Sequence, residues 1–238
     1  MSRDRLEEFF EAYEEIKLPF FIETRVETVK PGFGKRLEKI NCAGVAMGVE
    51  SGSLTLRKSL LDRFMPDSEI LRGFKELQNT KIRISANNII GFPGESREDI
   101  MLTIELNRKI NPDTIMCNAF RPYAGTKLRK ICIEKGLIPK EERAEDNRIY
   151  GAFDNGVLTS QELENIRKCF ALYVSFPHSR WPEIRKAEDD NDLYKKLMNE
   201  FNDKQLLDRK NRQNIPEGIH TNISPHELFI NDPDAVVL

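Results

Sequence analysis

Cysteine and histidine are scarce and scattered in this 238-residue chain. Cys42, Cys117, Cys132 and Cys169 show neither CxxC nor CxxxCxxC spacing. Each lies in an apolar stretch, which favours buried free thiols over disulfides or metal ligands. His178, His220 and His226 fall in the last third without the spacing of a zinc site. No apolar run approaches the roughly 20 residues of a membrane-spanning helix. Ser2-Arg3-Asp4-Arg5 leads into acidic residues rather than an apolar signal core, so the expected location is cytoplasmic. Neither sign of charge dominates: 37 Lys and Arg stand against 39 Asp and Glu, a formal net charge of -2. That balance gives no global pull toward nucleic acid or an anionic membrane, and neither is expected as a partner.

What is present is an alternation of short apolar strands and amphipathic helices. Residues 5–16 carry a stripe of Leu6, Phe9, Phe10, Tyr13 and Ile16. Residues 20–29 alternate, with Phe20, Ile22, Thr24 and Val26 on one face and Phe21, Glu23, Arg25 and Glu27 on the other. Such a strand suits either a barrel wall whose lumen holds a polar ligand or a solvent-facing edge with paired charges. A helix on Phe33, Leu37 and Ile40 is expected to end at Gly44. Strands starting near 45, 82 and 114 are separated by single helices, as parallel right-handed crossovers require. Ser96 and Thr159 read as helix N-caps.

Two strands end in unusual turns. Gly44-Val45-Ala46-Met47-Gly48-Val49-Glu50-Ser51-Gly52-Ser53 puts a glutamate where α/β folds bind ligands, at the C-terminal end of a parallel strand. By itself this could equally be a βα turn with an exposed or helix-capping carboxylate. The second strand, Ile82 to Ile90, runs into Gly91-Phe92-Pro93-Gly94-Glu95. A third segment, Phe120-Arg121-Pro122-Tyr123-Ala124-Gly125-Thr126, follows the last strand.

Together and in this order, the three stretches resemble the radical S-adenosylmethionine (SAM) superfamily. The match is to a Gly-x-Glu-Ser-Gly fourth strand, a Gly-Phe-Pro-Gly-Glu fifth strand, and the Pro-Tyr-Pro-Gly-Thr segment of cobalamin-associated members, with Ala124 in place of the second proline. The resemblance covers about residues 19–136. It implies a partial parallel (βα) barrel of the TIM-barrel-like type with about four βα units in residues 1–140. A helical extension over 141–210 and a polar, loosely ordered tail over 211–238 follow.

The family uses a 4Fe-4S cluster to cleave SAM reductively, and the cofactors carry the hard chemistry. The cluster's CxxxCxxC loop and the first two strands are absent from this sequence. The expectation is therefore the C-terminal part of a larger enzyme, with the cluster ligands encoded upstream of Met1. The N-terminal half of the barrel is then its missing partner, and the substrate is a small molecule or lipid-like. Cobalamin is a further expected cofactor, bound outside this chain.

By the resemblance, Glu50 and Ser51 contact SAM, while Gly48 and Gly52 permit close backbone approach. Gly91, Pro93 and Gly94 flank the adenine, or serve only to shape the turn. Glu23, Arg25 and one of Asn87 or Asn88 face the lumen, and Arg121 and Tyr123 sit near its mouth. Two other classes compete: a non-catalytic α/β module that keeps a SAM- or nucleotide-binding surface, and a phosphate-binding βα barrel resting on Gly91–Gly94 alone. The second lacks a nucleophile–base pair and ranks last.

Overall fold

The computed structural model describes residues 3–140 and 152–211. Four parallel strands form one sheet in the order β1-β2-β3-β4, the order of the chain itself. They are β1 (Phe20–Arg25), β2 (Cys42–Glu50), β3 (Arg83–Ile90) and β4 (Thr114–Ala119). Helix α1 (Arg3–Ile16) precedes β1. The crossovers carry α2 (Phe33–Lys39), then α3 (Leu54–Ser59) and α4 (Asp67–Gln78), then α5 (Arg97–Ile110). Helix α6 (Lys127–Glu134) follows β4, and α7 (Ser160–Ser175), α8 (Trp181–Ala187) and α9 (Asn191–Asn211) form the helical C-terminal part. The parallel strands with helical crossovers are what the alternation of elements implies, and the partial βα barrel with a helical C-terminal part is what the resemblance implies. Expectations for Met1, Ser2 and residues 141–151 and 212–238 lie outside the described residues.

One face of the sheet supplies the core. Val45, Met47 and Val49 of β2 are fully covered, packed with Phe20, Leu37, Ile70, Phe74 and Leu77. Each such side chain contributes about 1.5–3 kcal/mol by leaving water. A second apolar cluster joins Ile90, Ile100 and Ile104 to Leu163, Ile166, Phe170 and Leu172, so α7 shares a core with β3 and α5. Ser96 and Thr159 both form complete capping boxes, with Asp99 and Glu162 reaching back to the cap backbone.

Three local expectations are revised. Strand β1 stops at Arg25, and Val26–Thr28 makes a 3-10 turn that tucks Val26 against Gly73 of α4. Helix α2 ends before Gly44. Asn41 takes the left-handed conformation (φ 67°) and donates its side-chain amide to Lys17 O, so the chain has already turned into β2. Gly44 instead lies against the Phe21 ring, where a Cβ would come within 2.5 Å. Ile16 is half-exposed rather than part of the α1 stripe.

Candidate functional site

The other face of the sheet, at the C-terminal ends of β1–β3, opens into a cleft of about 410 Å³. Glu23, Thr24, Arg25, Ala46, Gly48, Glu50, Asn87 and Asn118 line it, together with Arg63 from the segment after α3. Alternation does most of the placing: Phe20 and Ile22 of β1 pack into the core, while Glu23 and Arg25 line the cleft, joined at the strand end by Thr24.

Glu50 is aimed by two local departures from strand geometry. The β2–β3 register slips between Gly48 and Glu50, leaving Val49 as an extra residue buried in the core. Glu50 itself is left-handed, with φ 64°, uncommon for a residue with a side chain. Its carboxylate folds back over Gly48, and a Cβ on Gly48 would stand 2.3 Å from Glu50 Oε1. Gly48 thus makes room for this chain's own carboxylate.

Arg63 completes the arrangement. It donates to Gly48 O at 3.1 Å, Glu50 Oε1 at 3.2 Å and Glu27 Oε2 at 3.0 Å. Its Nε is buried and has no hydrogen-bond partner among the described residues. Arg25 closes the chain of charges with a 2.8 Å bond to the other oxygen of Glu27. Burial pushes the Glu50 carboxyl above its usual range, against the opposing pull of Arg63 and Arg25. Burial would do the same to Glu27, but bonds from its own backbone, Arg25 and Arg63 outweigh it and leave that carboxyl low. Arg63 therefore separates an acid that ionises readily from one that holds its proton longer.

Sequence periodicity hid Arg63. The run Leu56–Leu61 reads as one helix, yet α3 ends at Ser59, and Leu60 and Leu61 both donate to Leu56 O. Asp62 then turns left-handed (φ 50°), and Arg63 N reaches Arg57 O, bringing the side chain back over β2. Asp67, the first residue of α4, pairs with the buried guanidinium of Arg57.

The remaining expected residues divide. Asn87 lines the cleft. Asn88 also borders the cleft, but its buried side-chain amide is engaged with Asn107 of α5, exchanging hydrogen bonds of 3.1 and 2.7 Å. Ser51 is buried, its hydroxyl accepting from Ser53 N and its carbonyl from Arg57. Gly52 lies against α5, donating to Thr103 Oγ1 at 2.7 Å, and a Cβ there would meet Leu102 O at 2.3 Å. Thr103 and Asn107, four apart on the buried face of α5, are thus polar anchors for β2 and β3. Their spacing within an apolar stripe was the available sequence signal.

Gly91 and Gly94 are left-handed, with φ 88° and 85°, as the turn needs. Phe92 and Pro93 are buried, and the Glu95 carboxylate accepts from Gly91 N and Phe92 N. Glu95 is covered on all sides, and its Oε1 has no partner among the described residues. Burial pushes its pKa up to about 8, against the two backbone bonds. Arg121 and Tyr123, expected near the mouth, are not among the residues that line the cleft; Tyr123 is exposed, and the Pro122 and Tyr123 carbonyls accept from Arg129 and Thr126.

The cysteines lie on four separate elements, β2, β4, α6 and α7. Among the described residues no group of three or more His, Cys, Asp or Glu is placed to hold a metal ion. The residues present do not fit an iron–sulfur cluster. The ligands expected upstream of Met1 fall outside the described residues, which begin at Arg3. No described helix is long and apolar enough to cross a membrane.

The parallel βα sheet with an acidic strand end at a polar cleft is the arrangement that the resemblance to the radical SAM superfamily implies for this chain. No protein-family model matches it. It is similar to an uncharacterized methyltransferase of Pyrococcus horikoshii, 26% identical over 153 residues, 64% of this chain and 33% of that one. It is also similar to a probable threonylcarbamoyladenosine tRNA methylthiotransferase of the same organism, 28% identical over 131 residues, 50% of this chain and 30% of that one. Among solved structures, the radical SAM methyltransferase TsrM of Kitasatospora setae superposes with a TM-score of 0.46 at 13% identity, over 53% of this chain and 28% of that one. The chain spans about a third of the length of the curated relatives it matches.

Proposed function

We propose that this chain is the part of a radical SAM enzyme that holds S-adenosylmethionine by its polar groups. The observation that carries this reading is the Glu50–Arg63 pair at the end of β2, set in a cleft with Glu23, Arg25 and Asn87. The ligand fits that donor set. Glu50 accepts hydrogen bonds from the ribose hydroxyls or the ammonium. Arg63, a nearly covered cation whose Nε is orphaned, faces the ligand's carboxylate. Asn87 supplies one donor and one acceptor from the neighbouring strand. Glu23 and Arg25 close the β1 side of the cleft. When bound, S-adenosylmethionine would supply the group transferred to substrate. Iron–sulfur ligands are not among the described residues, and no step is derived through a cluster.

Methyl transfer is the reaction class favoured here, because the relatives are named as a methyltransferase and a methylthiotransferase. Dependence on cobalamin rests on the resemblance of the Phe120–Thr126 segment together with the helical C-terminal part. A second reading, a binding module without catalysis, is favoured by the dispersal of the cysteines over four elements. Calorimetric titration of the purified chain with S-adenosylmethionine tests the binding that both readings share. Glu50→Gln and Arg63→Ala should each weaken it at least about tenfold, equivalent to about 1.4 kcal/mol. Unchanged affinity in both variants would overturn the assignment. Methyl transfer by the chain joined to a cluster-bearing barrel half, and its absence, separate the enzyme from the module.

A further inference from the structure

The turn at Gly91–Glu95 is fastened by a residue some sixty positions away. Asn155 is fully buried between that turn and α7. Its Nδ2 donates to Phe92 O at 3.1 Å and to Glu95 O at 3.0 Å, and its carbonyl accepts from Gly94 N at 2.8 Å. Its Oδ1 accepts from Val157 N at 2.9 Å and Leu158 N at 2.8 Å, which folds the residues before α7 into a tight loop with Gly156 at φ 90°. All four hydrogen-bonding positions of this amide are used, and three bonds cross to the turn. Glu95 ties the same turn from the inside, through Gly91 N and Phe92 N.

We propose that Asn155 is a positioning residue: segment 152–159 is a strap that sets the Gly91–Glu95 turn, and through it the shape of one wall of the cleft. The path to the cleft is packed side chains. Phe153 of the strap lies 5.9 Å from Phe120, and Phe120 lies 5.2 Å from Phe92. Ile89 belongs to that apolar cluster and also lines the cleft. Leu163 of α7 presses on Gly91, where a Cβ would come within 3.3 Å of it. The helical C-terminal part is therefore a structural component of the cleft. The effect on ligand binding rests on the function proposed above, whereas the effect on the turn does not.

Asn155→Asp separates the two sets of bonds. A carboxylate keeps the acceptor for Val157 and Leu158 but sets oxygen against the Phe92 and Glu95 carbonyls. Hydrogen exchange on the whole chain should show the amides of residues 91–95 exchanging at least about tenfold faster, with those of β1 and β2 unchanged. Affinity for S-adenosylmethionine should fall in the same variant, while Glu50→Gln lowers affinity without altering exchange at 91–95. Gly156→Ala, which strains the strap from a left-handed position, is the second variant should Asn155→Asp fail to fold. Unchanged exchange at 91–95 in the folded variants overturns the strap. Faster exchange with unchanged affinity overturns its coupling to the cleft. A wild-type chain that binds no S-adenosylmethionine overturns the assigned ligand, and the exchange result then decides the strap by itself.

Discussion

Glu50 and Gly48 occupy the same space: the carboxylate sits where a side chain on Gly48 would begin, 2.3 Å from the ideal Cβ position. The obstructed atom is the tip of a flexible side chain, which can swing away. Gly48→Ala should therefore cost little stability, under about 1 kcal/mol, yet break the alignment of Glu50 with Arg63. Calorimetry should show weakened S-adenosylmethionine binding with a near-wild-type melting temperature. Retained affinity would show that the folded-back carboxylate is not what the ligand meets.

Gly52→Ala should behave oppositely. Its Cβ would meet Leu102 O at 2.3 Å, a backbone atom of α5 that cannot rotate out of the way. Overpacking of this kind costs about 1–3 kcal/mol, occasionally more. A lowered denaturation midpoint in urea is the expected result, and an unshifted midpoint would contradict the packing role.

The Asn88–Asn107 pair ties β3 to α5 away from water. Asn88→Leu or Asn107→Leu alone leaves the other amide short of partners, at a cost of about 1–3 kcal/mol. Replacing both with leucine removes the unmet groups together, so the double variant should lose less than the sum of the single ones. Urea unfolding of the four proteins measures that coupling, and strict additivity would argue against it.

Glu95 gives stability a pH dependence. Its folded pKa of about 8 lies above that of an ordinary glutamate in the unfolded chain, so the folded state holds the proton more tightly. Its contribution is fully present below about pH 4.5 and is lost as pH rises toward about 8, with a slope of up to ~1.4 kcal/mol per unit. Glu95→Gln keeps an acceptor for Gly91 and Phe92 but cannot ionise. Melting temperatures at pH 5, 6.5 and 8 should fall less steeply in this variant than in the wild type. Parallel profiles would place the titrating group elsewhere.

Much of the frame is legible in local chemistry. The caps at Ser96 and Thr159 announce themselves by an acid three residues on, and the alternation of β1 and β2 assigns core and lumen without a structure. Glu23, Arg25, Gly48 and Glu50 fall on the cleft side in this way, whereas the sequence left the choice between Asn87 and Asn88 of β3 open. What periodicity cannot show is where the chain leaves its period. Arg63 reaches the cleft because a helix stops early and Asp62 turns left-handed. Asn41 replaces Gly44 as the turning residue because its side chain finds Lys17 O, a contact 24 residues distant. Asn155 lies in a polar, turn-rich stretch whose composition says nothing of what it fastens.

Sheet order and chain order coincide, and this bears on how the protein is made. During synthesis each new strand emerges beside the partner it needs, so the sheet can grow outward unit by unit with short loop closures. The Asn155–Phe92 bond spans 63 positions and must wait for most of the described chain. The turn it secures is then among the last parts to settle. Pulse-labelled refolding should show residues 91–95 gaining protection after β1–β3, and simultaneous protection would argue against this order.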